Sequence, residues 1–93
     1  MENRERFEKH NGEFLKFDHV ENKRSQRRDL HAFLLLTELF PSTSKIVSGA
    51  GHDEIWLDPT PSQVKTLTDV QILELVRCGV RYDDEHESLC MFV

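Results

Sequence analysis

The chain has 93 residues, 17 of them acidic and 12 basic, for a formal net charge of −5 with its histidines neutral. This length allows one small domain with a single modest core and excludes a large cleft between domains. The longest apolar run, Ala32 to Leu36, is far shorter than the roughly 20 residues of a membrane helix.

The first five residues, Met1-Glu-Asn-Arg-Glu5, hold no apolar h-region, so no secretion signal is expected and the chain reads as cytoplasmic. Residues 1–28 contain eight Lys/Arg and six Asp/Glu, whereas residues 29–93 contain four and eleven. The −5 is therefore the sum of a +2 segment and a −7 segment. Phe7, Phe14, Leu15, Phe17 and Val20 give the first segment only a thin apolar face, so residues 1–28 read as a charged N-terminal arm. Within it, residues 2–10 form a short helix broken at Asn11-Gly12, Phe14 to Val20 is a strand or extended segment lying on the core, and Glu21 to Arg28 is a solvated connection.

Residues 29–93 read as one compact domain. Asp29 is the expected N-cap of a helix over Leu30 to Phe40, and Pro41 stops it. Leu30, Phe33, Leu34, Leu36, Leu39 and Phe40 cover more than one face, which predicts a central, mostly buried helix. Ile46-Val47 and Glu54 to Asp58 form a hairpin whose tip is Ser48 to Asp53, with Ile55 and Leu57 on one face of the second strand. Thr68 and Gln71 have the spacing of a capping box for a helix running to Arg77, with Val70, Leu73 and Val76 on one stripe. Gly79 supplies its left-handed stop. A second hairpin joins Val80–Tyr82 to Leu89–Val93, and the latter strand is apolar on both faces, as a central strand is. The expected architecture is α+β: a small, mostly antiparallel sheet with two main helices packed on one face, plus the N-terminal arm.

Cys78 and Cys90 each lie among apolar neighbours and read as small core hydrophobes, with a Cys78–Cys90 bridge as the other reading. No GxSxG, P-loop, dinucleotide, HExxH or CxxC pattern occurs, so no enzyme is expected and no cofactor is assigned. His31 reads as a structural histidine. His52, Asp53 and His86 are candidate ligands of a divalent metal, in a metal-binding protein or small metal-dependent enzyme as the alternative function, against the simpler reading of two solvated acidic turns. Lys23, Arg24, Arg27 and Arg28 are candidate phosphate contacts, but no aromatic interleaves them and direct nucleic-acid binding is not expected. The leading candidate is an acidic patch of Glu54, Asp58, Asp83, Asp84, Glu85 and Glu87, which with Asp53 would lie near one another if the two hairpins share a sheet. An exposed Trp56 would be its aromatic anchor, the other reading being that the N-terminal segment covers it. Such a surface suits a protein partner with a basic face.

The stretches Asp29-Leu-His-Ala-Phe-Leu-Leu-Leu36, His52-Asp-Glu-Ile-Trp-Leu-Asp58, Val76-Arg-Cys-Gly-Val-Arg-Tyr-Asp83 and Ser88-Leu-Cys-Met-Phe-Val93 resemble small uncharacterised proteins of bacteriophages and prophages. The resemblance spans about two-thirds of the chain and rests on general texture. It implies an inhibitor that binds and blocks a host defence or nucleic-acid-handling complex, in the manner of anti-CRISPR proteins, within the host cytoplasm. On either route the expected molecule is a monomer or homodimer with no membrane association.

Overall fold

Two antiparallel hairpins lie side by side and build one sheet. The computed structural model describes residues 2–92. Among them, strands β1 (Val47–Ala50) and β2 (Glu54–Leu57) form the first hairpin, and β3 (Arg81–Asp83) and β4 (Ser88–Phe92) the second. The hairpins join through β2 and β4, giving the order β1-β2-β4-β3 with every neighbour antiparallel. β4 is thus interior, as its two apolar faces predict; Val93, expected to extend it, lies outside the described residues. The first hairpin turns later than expected, since β1 runs on to Ala50 and leaves 51–53 as its tip.

Register decides which residues face the core. Ile55 opposes Met91, and Leu89 opposes Tyr82. With Leu57 they line one face, because strand side chains alternate. Leu57, Leu89 and Met91 share a buried cluster with Ala32, Leu35, Leu36, Val64, Ile72, Leu75 and Val76. These helical residues come from α2 (Arg28–Leu39), α3 (Pro61–Lys65) and α4 (Asp69–Arg77), so the helices cover a single face of the sheet. The expected α+β architecture is the one observed. No helix among the described residues is long and apolar enough to cross a membrane.

The N-terminal arm packs against this body. Helix α1 (Asn3–Glu8) inserts Phe7, 3% exposed, into the same cluster, where its ring lies 6.3 Å from that of Tyr82. Its polar side chains tie it to the far half of the chain. Asn3 donates to the Pro61 carbonyl, Arg6 to the carbonyls of Lys65 and Leu67, and Lys9 to Asp69. The segment expected to be extended, Phe14 to Val20, is not. It is flanked and partly formed by two 3-10 turns, Asn11–Glu13 and Phe17–His19. Glu13 fixes these turns by accepting from His19 Nδ1 at 2.8 Å and Arg77 Nε at 2.9 Å, and the two bonds hold its carboxyl down at about 2.

Helix α2 starts two residues earlier than expected. Asp29 lies inside its first turn and bonds the Leu30 amide, so Arg27 occupies the N-cap position and no side chain caps the helix. The helix is also one-sided: His31, Ala32, Leu35 and Leu36 are buried, while Leu30 and Leu34 are exposed. The i, i+4 pairs His31/Leu35 and Ala32/Leu36 set the buried stripe, so a histidine takes a place that hydropathy gives to leucine. Helix α4 keeps its expected capping box, with Thr68 accepting from the Gln71 amide. Its stripe is rotated, however. Ile72, Leu75 and Val76 are buried and Val70 is 74% exposed. Gly79 takes φ +94° just beyond the Cys78 C-cap, the expected left-handed stop. Helix α3 is not anticipated from hydropathy, yet Thr60-Pro61-Ser62-Gln63 carries a second complete capping box with proline at the first helical position.

Both cysteines are free and buried. Cys78 belongs to the core, as expected. Cys90 alternates with Leu89 and Met91 and therefore points to the other side of the sheet, so the bridge reading fails. Burial pushes both thiols up, Cys78 to about 12 and Cys90 to about 11, which leaves them un-ionised and poorly nucleophilic.

Candidate functional site

The sheet face turned away from the helices carries most of the chemistry. Glu54, Trp56, Arg81, Asp83, Cys90 and Phe92 share it by strand alternation and register. Trp56 lies over Gly49 and Gly51 of the neighbouring strand and its tip. A Cβ on Gly51 would approach the indole to 3.1 Å, so any side chain there would have to push the ring aside by a few tenths of an ångström. The opposite side of the indole is covered by His86, with ring centroids 4.5 Å apart. Trp56 is therefore half-buried, not an exposed anchor, and the second hairpin's turn, rather than the N-terminal segment, covers it.

Asp83 organises this arrangement. One carboxylate oxygen accepts from Trp56 Nε1 at 3.0 Å and from His86 Nδ1 at 2.6 Å; the other accepts from the Glu85 amide at 3.0 Å. A carboxylate only accepts, so the His86 proton facing it sits on Nδ1. The Trp56 bond first, then those from His86 and the turn amides, hold the Asp83 carboxyl below the ordinary range, at about 2. Because this value is depressed in the folded state, the bond set stabilises above the ordinary carboxylate range. Its contribution is lost as pH falls toward 2. Asp83→Asn is expected to cost about 1–2 kcal/mol at neutral pH and to flatten the stability curve between about pH 4 and 2. Urea unfolding of both proteins across that range, followed by Trp56 fluorescence, checks it; parallel curves would contradict it.

Glu54 is likewise committed within the face. It pairs with Arg81, whose guanidinium lies 4.1 Å from the centre of the Phe92 ring. Glu54 and Asp83 are thus structural acids, the first held by an ion pair and the second by hydrogen bonds on the same surface. Asp58, half-buried, follows β2 and gives its amide to the Ile46 carbonyl. Glu85, exposed, sits in the β3–β4 turn.

The two hairpin tips do not come together as a shared acidic patch. Glu54 opposes Phe92, and the Ser88 hydroxyl bonds the Leu57 carbonyl. The 51–53 tip therefore lies at one end of the sheet and the 84–87 turn at the other, a strand length of about 10 Å or more apart. His52 and Asp53 are separated from His86 by the same geometry, which removes the metal reading built on those three residues. No group of three or more potential metal ligands gathers among the described residues.

The basic stretch also disperses. Arg24 is held by Glu38 and lies 3.7 Å from Glu74, Lys23 caps the Val20 carbonyl beside the Phe17 ring, and Arg27 lies 3.7 Å from Asp29. Only Arg27 and Arg28 share an open surface, and no phosphate-tracking row forms.

Acids do converge elsewhere, in a cleft of about 650 Å³ that sequence reasoning half anticipates. Asp84 and Glu87 enter it from the β3–β4 turn, and Glu2 and Glu5 from the start of α1. Tyr82, Pro61 and Lys65 complete its walls. Asp84 is 3.5 Å from Arg4, and Glu87 holds a left-handed φ of +50° that tightens the turn. Glu2 and Glu5 are missed by sequence reasoning because they belong to the basic half of the chain. Only the docking of α1 against β3 brings them beside the second turn. No protein-family model matches this chain, and neither a curated protein nor a solved structure matches it.

Proposed function

We propose that the protein is a non-enzymatic binding module that recognises the basic surface of a protein partner and acts by occluding it. The observation that carries this reading is the cleft between α1 and the β3–β4 turn. Four carboxylates line it, with Lys65 in its wall and Arg4 3.5 Å from Asp84 as the cations beside them. A concave site with one dominant sign focuses the field and speeds the encounter with an oppositely charged partner. The −7 body carries the same bias over its wider surface. The acids are exposed; Glu2, Glu5 and Glu87 can meet an arginine or lysine side chain directly, and Asp84 by exchanging its exposed contact with Arg4. In the context implied by the phage resemblance, the partner is a host defence or nucleic-acid-handling protein whose Lys/Arg surface would otherwise hold nucleic acid. The protein would then work as a monomer or homodimer in the host cytoplasm.

The outer sheet face has a different part in this reading. Its carboxylates Glu54 and Asp83 are already engaged by Arg81, Trp56 and His86, so it supports the turn that presents Asp84 and Glu87 rather than offering free acids of its own. The test begins with affinity capture from bacterial lysate, followed by association kinetics of the captured protein. The combined variant Glu2→Gln, Glu5→Gln, Asp84→Asn, Glu87→Gln is expected to lower the association rate about 10-fold at low salt, with the difference shrinking as salt rises. An unchanged rate for a folded variant would overturn the cleft as the binding site.

A further inference from the structure

A second concavity, remote in character from the acidic cleft, lies where the end of β4 meets the start of α2. It encloses about 500 Å³, within the range of about 300–1,000 Å³ typical of ligand sites. Leu15, Phe17, Met91 and Phe92 form its apolar wall, and Arg27 and Arg28 stand on its rim. Two of the large apolar residues that the fold leaves outside, Leu15 at 49% and Phe92 at 52% exposure, meet in this one groove.

Leu15 is held there against its preference. Its φ is +64°, a left-handed conformation that costs a residue with a Cβ about 1–2 kcal/mol. Its amide donates to the Val76 carbonyl at 3.2 Å, and its side chain packs over Gly79, whose missing Cβ would otherwise lie 2.7 Å from Leu15 Cδ2. The surroundings thus fix a strained backbone and leave the side chain half in solvent. On the rim, the Asp29 carboxylate is engaged by the Leu30 amide and stands 3.7 Å from Arg27. Arg28 enters no ion pair among the described residues. On a molecule of net charge −5, this rim is a local site of positive charge beside uncovered apolar surface.

We infer that this groove docks a short peptide segment of a partner protein in which bulky apolar side chains alternate with carboxylates. The apolar side chains cover Leu15 and Phe92, and the carboxylates meet Arg27 and Arg28. The wide exposure of Leu15 and Phe92 makes the groove shallow, which suits an extended peptide and not a free fatty acid needing an enclosed channel. The Gln26 side chain on the same rim supplies the amide donor and acceptor that a peptide backbone uses. The site thus selects a chemistry opposite to that of the acidic cleft and stands independently of it.

The experiment is a titration of the isotope-labelled full chain with acetyl-Leu-Asp-Phe-Asp-amide, read by amide chemical shifts. The expected result is saturable shifts at Leu15, Phe17, Arg28 and Phe92 with a Kd of about 1 mM or tighter, as befits a binding energy of roughly −4 kcal/mol. Arg28→Gln is expected to weaken this peptide about 5-fold while leaving the weaker Leu-Asn-Phe-Asn analogue unchanged. Leu15→Gly removes the apolar wall and also relaxes the backbone, so it should bind less without losing its fold. Equal affinity for the two peptides, shifts located elsewhere, no shifts at several millimolar peptide, or the same shifts with dodecanoate and none with peptide would each overturn the inference.

Discussion

Replacing His31 with alanine is expected to destabilise the fold by about 4 kcal/mol, a large share of the roughly 5–14 kcal/mol available to a chain of this size. The ring is completely buried, yet both of its nitrogens are used. Nδ1 accepts from the Arg24 amide at 3.1 Å, so it carries no proton. Nε2 must then be the protonated nitrogen, and it donates to Glu74 at 2.8 Å. The ring edge also meets Phe17, with centroids 5.6 Å apart. Alanine would leave a cavity the size of an imidazole and an unpaired amide on Arg24. Glu74 would keep only its 3.7 Å approach to Arg24. Glutamine offers one acceptor and one donor and should restore about half of the loss. Thermal unfolding decides the matter: a fall of about 16 °C or more is expected for alanine, and one below 5 °C would contradict the account.

Gly79→Val is expected to cost about 3 kcal/mol by a different route. At φ +94° a β-branched residue collides with its own backbone, whatever space surrounds it. The added Cβ would also press on Leu15 Cδ2 at 2.7 Å. Denaturant midpoints separate the two causes. In a Leu15→Gly background the contact vanishes and about 1 kcal/mol of the penalty should return, because only the backbone conflict remains. Full additivity of the two substitutions would show that the side-chain contact carries no energy.

The contrast between these two positions explains what can be read from the sequence. Gly79 is legible because its cause is local: a helix ends, and only glycine takes the stop without strain. The capping box at Thr68, the alternation of Ile55 and Leu57, and the doubly apolar β4 are legible for the same reason. His31 is legible as structural but not as to its partner, since Glu74 is 43 residues away and no spacing rule connects them. The expected helical stripe containing Val70 and the Asp29 cap fail because tertiary packing chooses among nearly equivalent faces and starts. The candidate site divides similarly. The acids of the β3–β4 turn are visible as a charge run, but their neighbours Glu2 and Glu5 enter only through docking. Two like-charged runs in sequence also give no hint that strand register sends them to opposite ends of a sheet.

The bonds that anchor α1 also govern the order in which the molecule can assemble on the ribosome. Asn3, Arg6 and Lys9 reach partners 58 to 61 residues further along the chain. At roughly 5–20 residues per second, those partners follow the helix by about 3–12 s. During that interval Phe7 has no core to enter, and a six-residue helix cannot persist alone in water. This segment is therefore among the last parts of the domain to settle, and the growing chain carries it charged and solvated until then. Its dense Lys, Arg and Glu content, which reads first as a reason to set it apart from the domain, is what keeps it from aggregating until the rest of the domain has been made.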